Sequence, residues 1–208
     1  KNLRPFSNST YIEILDASLQ SFDNPIFDLE LATLGLLELQ ERFQNNQKTK
    51  LKNAILQITS VFKENNHIPI PWLKNARSIV SKLKNLKDIG DKKHQVYVIL
   101  IDGFSLQKGR YGVYVGETSK TPEERFIEHQ TGIRSGKGTK ERSIQLMKTL
   151  MPFYQFKRQN KDCYETYLHH SLAQTVVKEP YYLSVKGNTN LKTSELPKKF
   201  QSNLTGLK

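Results

Sequence analysis

Two stretches, Val96-Tyr97-Val98-Ile99-Leu100-Ile101 and Tyr111-Gly112-Val113-Tyr114-Val115-Gly116, decide how this chain folds. The first is short, β-branched and nearly all apolar, which predicts a buried strand. A polar segment, residues 102–110, leads into the second, so the two are expected to pair antiparallel. Thr121-Pro122-Glu123-Glu124 then offers an N-cap hydroxyl, a proline at the first helical position and a glutamate at the third. The helix it starts carries Arg125, Phe126, Ile127 and His129 and is expected to end at Gly132. A glycine-rich basic loop follows, Arg134-Ser135-Gly136-Lys137-Gly138. A second helix is expected over residues 164–177 with Pro180 at its end, and residues 181–185 read as a third strand.

Upstream, residues 10–90 read as helical. Leu29, Ala32, Leu36, Leu39 and Phe43 share one helical face, which Leu31, Leu34 and Leu37 widen. Leu51, Ile55, Ile58 and Phe62 form a second series. Pro69 and Pro71 break the chain before a third helix, with Ile79, Val80, Leu83 and Leu86 on its buried side. Trp72 is expected to anchor a core. The organisation expected is a helical region over residues 1–90, a second domain over 91–192 and a polar tail over 193–208.

The composition, 37% hydrophobic and 25% charged over 208 residues, suits a folded chain, and the net charge of +12 draws it toward polyanions. One cysteine, Cys163, excludes an internal disulfide and a multi-cysteine zinc site, which fits a reducing, cytoplasmic home. No stretch approaches the roughly 20 apolar residues of a membrane span. Residues 1–10 lack the apolar core of a secretory leader, and a start at Lys1 rather than methionine leads us to expect a short piece ahead of it.

Arg125 and His129 stand four residues apart, so a helix puts both on one face. Such a pair is ordinarily a solvated surface, and tyrosines inside apolar strands, such as Tyr97 and Tyr114, are ordinarily core residues. Phosphodiester hydrolysis gives all four another use. It needs a group to orient or deprotonate water, a cation for the charge on phosphorus, and an acid or metal at the leaving oxygen.

Gln95-Val96-Tyr97, Tyr114-Val115-Gly116 and the run from Glu117 through Arg125 to His129 together resemble the signature of the GIY-YIG nucleases. That family includes restriction and homing endonucleases and repair incision modules. The resemblance covers about half the chain, and its most specific part is Tyr-Val-Gly followed by Arg-x-x-x-His. It implies an α+β fold, a small three-stranded antiparallel sheet flanked by helices. By the same resemblance Tyr97 orients or deprotonates water and Tyr114 contacts water or phosphate. Gly116 stands where a side chain would obstruct the site. Arg125 stabilises charge on the scissile phosphate and His129 assists proton transfer.

The family's metal carboxylate lies on a later helix, where Glu165 is the best match and Asp162, at the expected helix cap, its rival. Leu168 and Leu172 share the Glu165 face, and an inward carboxylate needs a partner that a metal would supply. One carboxylate with waters and phosphate oxygens suits Mg2+ or Mn2+. Asn188 or Asn190 matches an asparagine found near the site in some members, and Lys120 reads as a phosphate contact or an aid to the tyrosine. The chain departs from the pattern in having Gln95-Val96 where the name has Gly-Ile, and in a long interval between the two tyrosines.

Residues 134–161 carry eight basic residues against Glu141 alone, a net +7, with Tyr154 and Phe156 interleaved. Arg134, Lys137, Lys140 and Arg142 are therefore expected at DNA. His169, His170 and Cys163 show no ligand or nucleophile spacing. The expectation is a Mg2+-dependent DNA endonuclease of restriction type, with the helical region serving recognition, packing or dimerisation and a homodimer cutting both strands. The alternatives are a nucleic-acid-binding module that kept the fold without catalysis, and an enzyme that cuts RNA.

Overall fold

The computed structural model describes residues 5–23, 27–83, 94–103, 110–133, 135, 139–151, 154–156, 161–173, 185–187, 192–196, 198 and 201. The chain divides into two compact units, Lys1–Lys74 and Asn75–Lys208. The sequence places its change of texture at residue 90, within a stretch, 84–93, that lies outside the described residues together with Leu86.

The first unit contains three helices, α1 (Tyr11–Asp23), α2 (Leu29–Asn46) and α3 (Thr49–Glu64), all in mutual contact. Both periodic series bury their apolar side as expected, with Leu29, Ala32, Leu36 and Leu39 inside on α2, and Leu51, Ile58 and Phe62 on α3. Asp28 caps α2 by accepting the Leu31 N–H at 2.9 Å. On α1 the buried positions are Ile14, Ser18 and Ser21, so two serines take core places that an apolar residue would ordinarily hold. Ser18 lies against Gly35 of α2, where a Cβ would stand 3.2 Å from the Ser18 Cβ. Small residues on both sides let these two helices approach closely, and the Ser18 hydroxyl is satisfied by the Ile14 carbonyl at 2.7 Å. A fourth helix, α4 (Leu73–Lys82), follows Pro69 and Pro71 and buries Leu73, Ala76 and Val80. Trp72 is fully buried, as a core anchor should be.

The sheet of the second unit is built on β1 (His94–Ile101) and β2 (Gly112–Thr118), which pair antiparallel with Tyr97 opposite Gly116 and Ile99 opposite Tyr114. β3 (Ser143–Leu146) pairs antiparallel with the other edge of β1. This central position explains why the run from Val96 to Ile101 is buried along its whole length. The fold is α+β, and β3-β1-β2 is the expected three-stranded antiparallel sheet. Its third strand comes from residues 143–146, while of the expected strand over 181–185 only Val185 is described, and it opens a further strand of the sheet. Ser143-Ile144-Gln145-Leu146 alternates polar and apolar, a signal that the surrounding basic charge obscures. Two short strands extend the sheet. β4 (Tyr154–Phe156) pairs with the start of β1, and β5 (Val185–Gly187) runs parallel to β2. Residues 181–184 lie outside the described ones.

α5 (Pro122–Thr131) starts on a full capping box, with the Thr121 hydroxyl accepting the Glu124 N–H and the Glu124 carboxylate accepting the Thr121 N–H. Gly132 closes it at φ +87°, a left-handed conformation that glycine adopts without a steric penalty. α5 packs on β1 and β3, and α6 (Lys161–Ala173) packs on β1, β2 and β5. α6 begins three residues earlier than the sequence suggests, and its expected continuation through residue 177 falls outside the described residues. Among the described residues, no helix is long and apolar enough to cross a membrane.

Candidate active site

Side chains alternate across a strand, so Tyr97 and its partner Gly116 point to one face of the β1–β2 pair, with Tyr114 and Ile99 beside them. Apolar side chains form the floor there: Ile99, Ile101 and Leu146, with Phe126 and Met151 packed against them. Gly116 has a steric reason to be glycine. A Cβ at this position would overlap the Tyr97 hydroxyl and lie 2.9 Å from the Tyr114 ring. The bare backbone lets the Tyr97 phenol lie across β2, so Gly116 serves the tyrosines directly.

α5 brings its polar side chains to the same place. The buried His129 imidazole places Nε2 2.8 Å from the Tyr97 hydroxyl and Nδ1 3.1 Å from the Thr139 hydroxyl. The His129 ring meets the Tyr114 ring edge-on, with centroids 5.1 Å apart, and the two tyrosine rings stand 6.1 Å apart. The Arg125 guanidinium donates to Glu128 at 2.8 Å and to the Ile133 carbonyl at 3.3 Å, and it also acts on the Tyr97 hydroxyl. The second Glu128 oxygen is ion-paired with Lys120, so one carboxylate holds both cations. Gln95 donates to the Lys120 carbonyl at 2.7 Å and ties the start of β1 to the turn before α5.

The electrostatics follow from burial and from these neighbours. Burial, then the nearby Tyr114, pushes the Tyr97 phenol well above its ordinary range, while Arg125 pulls the other way. Burial also raises Tyr114, and the negative charge of Glu165 adds to the effect. That last influence links Glu165, on α6, to Tyr114 electrostatically. Glu165 is itself buried, beside Tyr164, Tyr167 and Leu168. Burial, with Arg125 second, lowers the His129 imidazole to about 4, so it is neutral at pH 7. Burial works against the charge on Arg125, but hydrogen bonding to Glu128 and the interaction with Tyr97 outweigh it, and its pKa rises. Lys120 and then Arg125 hold the Glu128 carboxyl below the usual range.

Tyr97, Tyr114, Gly116, Arg125 and His129 thus come together, with Glu165 electrostatically linked to Tyr114. Lys120 joins through Glu128. Of the residues expected at DNA, Lys140 is exposed, and a Cβ at Gly132 would meet its side chain at 3.0 Å. Arg142 donates to the Gly103 carbonyl at 3.2 Å, a bond that secures the chain after β1. Arg134, Lys137, Asn188 and Asn190 lie outside the described residues. The backbone of Asp162 lies in the first turn of α6.

The sequence reading missed two members of this site. Glu128 stands three residues after Arg125, a spacing at which opposite charges meet on a helix, so it was there to be found. Thr139, ten residues from His129 across a turn, gave no periodic signal.

Among the described residues, no three His, Cys, Asp or Glu side chains form a group that could hold a metal by themselves. A buried carboxylate whose charge acts on Tyr114, such as Glu165, fits the other kind of site, in which a small hard cation keeps most of its waters. Comparison with protein-family models, with curated proteins and with solved structures returns no match.

Proposed function

We propose that the chain is a metal-dependent DNA endonuclease of the GIY-YIG type, hydrolysing phosphodiester bonds. The observation that carries this reading is the convergence of Tyr97, Tyr114, Arg125 and His129 on one sheet face over Gly116. Glu165 is within electrostatic reach of that face. Two phenols, a guanidinium, a neutral imidazole and a carboxylate can fill the roles that phosphodiester hydrolysis needs: water activation, charge stabilisation and help at the leaving oxygen.

In this reading Tyr97 and Tyr114 orient the attacking water. As Tyr97 takes a proton from that water, its own proton passes to Nε2 of His129, so no free phenolate need form in a setting that disfavours one. Arg125, preset by Glu128, meets the charge that develops on the phosphate oxygens. Glu165 would hold Mg2+ or Mn2+, which when bound supplies Lewis-acid charge at the leaving oxygen. The expected product carries a 5′-phosphate. A restriction-type role in the cytoplasm is the setting we favour, with the helical unit serving recognition or dimerisation and a homodimer cutting both strands. The net +7 over residues 134–161 supports a polyanionic substrate.

Nicking of supercoiled plasmid with Mg2+ tests the proposal, with native chain, Glu165→Ala and Arg125→Ala side by side. Metal-dependent nicking by the native chain alone is expected. Binding without cleavage across metals and DNA forms would favour a non-catalytic module, and cleavage of RNA alone would change the substrate.

A further inference from the structure

His129 is fully buried between two hydroxyls, Tyr97 on Nε2 at 2.8 Å and Thr139 on Nδ1 at 3.1 Å. A neutral imidazole carries one N–H, so it donates to one of these hydroxyls and accepts from the other. A phenol is the more acidic donor and an aliphatic hydroxyl the more basic acceptor. The shorter bond also lies on the phenol side. We propose that Thr139 is a positioning residue: its hydroxyl accepts the Nδ1 hydrogen of His129 and so presents a bare Nε2 to the Tyr97 hydroxyl. The consequence for cleavage rests on the endonuclease reading above, whereas the tautomer does not.

The fold holds Thr139 for this task. Gly132 ends α5 in the left-handed conformation, and the returning chain passes so close that a Cβ on Gly132 would touch Lys140. Thr139 is fully buried there. Its carbonyl accepts the Ser143 N–H at 3.0 Å and the Ser143 hydroxyl at 2.5 Å, and Arg142 N–H approaches at 3.4 Å. The backbone is therefore fixed by bonds that do not involve the Thr139 side chain, whose hydroxyl stands against Nδ1 of the ring. The opposite tautomer, with hydrogen on Nε2, would donate to Tyr97 and could take no proton from it. Outer partners that fix a histidine tautomer change activity by roughly tenfold to a hundredfold where this has been measured at metal ligands.

The test uses the full chain labelled with 15N-histidine, native, Thr139→Val and Thr139→Ser, observed by NMR and by single-turnover cleavage of DNA. The native protein is expected to show His129 with hydrogen on Nδ1. Thr139→Val should shift the ring toward the Nε2–H form and lower the cleavage rate by roughly tenfold to a hundredfold, with DNA affinity unchanged. Thr139→Ser should restore both. Hydrogen on Nε2 in the native protein overturns the proposal, even if the valine variant does not fold. So does an unchanged tautomer in Thr139→Val. A native Nδ1–H tautomer that Thr139→Val disturbs, in a chain that cleaves nothing, would uphold the positioning role and overturn the endonuclease reading.

Discussion

The helical unit and the sheet unit both bury serine hydroxyls against carbonyls one turn back, as Ser171 does on α6, but the sheet unit adds a second arrangement. In the helical unit the Ser18 and Ser21 hydroxyls bond back to carbonyls four residues earlier on their own helix. Thr33 receives the Ile70 backbone N–H, and Arg42, held by Glu38, reaches the Phe6 and Ser9 carbonyls. Nearly all of these side chains serve the backbone. In the sheet unit Tyr97, His129 and Thr139 bond to one another, from a strand, a helix and a loop. Side chains that meet this way do no work for the main chain that a smaller or apolar residue could not do. The comparison separates polar burial that satisfies the backbone from polar burial that joins side chains of three different elements.

If that separation is right, substitutions in the two units should fail in different ways. The largest effect is expected at Arg125, whose side chain is only 15% exposed and is ion-paired to Glu128. Arg125→Ala should cut single-turnover cleavage by roughly a hundredfold to a thousandfold. It should lower stability by about 1–3 kcal/mol through the lost hydrogen bonds, which thermal melting would show and which is too little to explain the lost cleavage.

The next effect is on pH. Between its unfolded value of 6.5 and its folded value of about 4, His129 is protonated only when the chain unfolds. Stability should therefore be complete above pH 6.5 and decline as pH falls toward 4, by up to about 3 kcal/mol from this group. Denaturant titrations of native protein and His129→Gln across that window isolate the contribution. An equal slope in both would place the acid sensitivity elsewhere.

A smaller pair of effects compares two glycines. Gly116→Ala drives a Cβ into Tyr97, and Gly35→Ala drives one into Ser18. Overpacking of this kind costs about 1–3 kcal/mol, offset at Gly35 by up to about 1 kcal/mol of helix propensity. Both variants should melt early. Only Gly116→Ala should lose cleavage activity beyond what its lost folded fraction explains, because only there does the displaced group react.

The elements that announce themselves in the sequence do so through strong local chemistry. The Thr121-Pro122-Glu123-Glu124 start of α5 and the apolar run of β1 are both satisfied by neighbours close in sequence or by burial on two faces. α1 is harder to read because its contact with α2 is made by Ser18 and Gly35, which carry no hydrophobic period. β3 is hidden by the basic charge around it, which says more about a partner than about pairing. At the site, Tyr97, Tyr114, Arg125 and His129 could be read from spacing and resemblance. Thr139 could not, since its place depends on how the chain returns past Gly132.

One measurement addresses the whole account most directly: the cleavage rate of end-labelled DNA with Mg2+ by native protein and by Tyr97→Phe, with the product ends identified. The substitution removes one oxygen and leaves the buried ring in place. We predict metal-dependent cleavage that leaves 5′-phosphates, and a loss of roughly a hundredfold or more in the variant, with stability lowered by no more than the cost of leaving Nε2 of His129 unpaired, about 1–3 kcal/mol. A Tyr97→Phe chain that cuts as fast as the native one would contradict it.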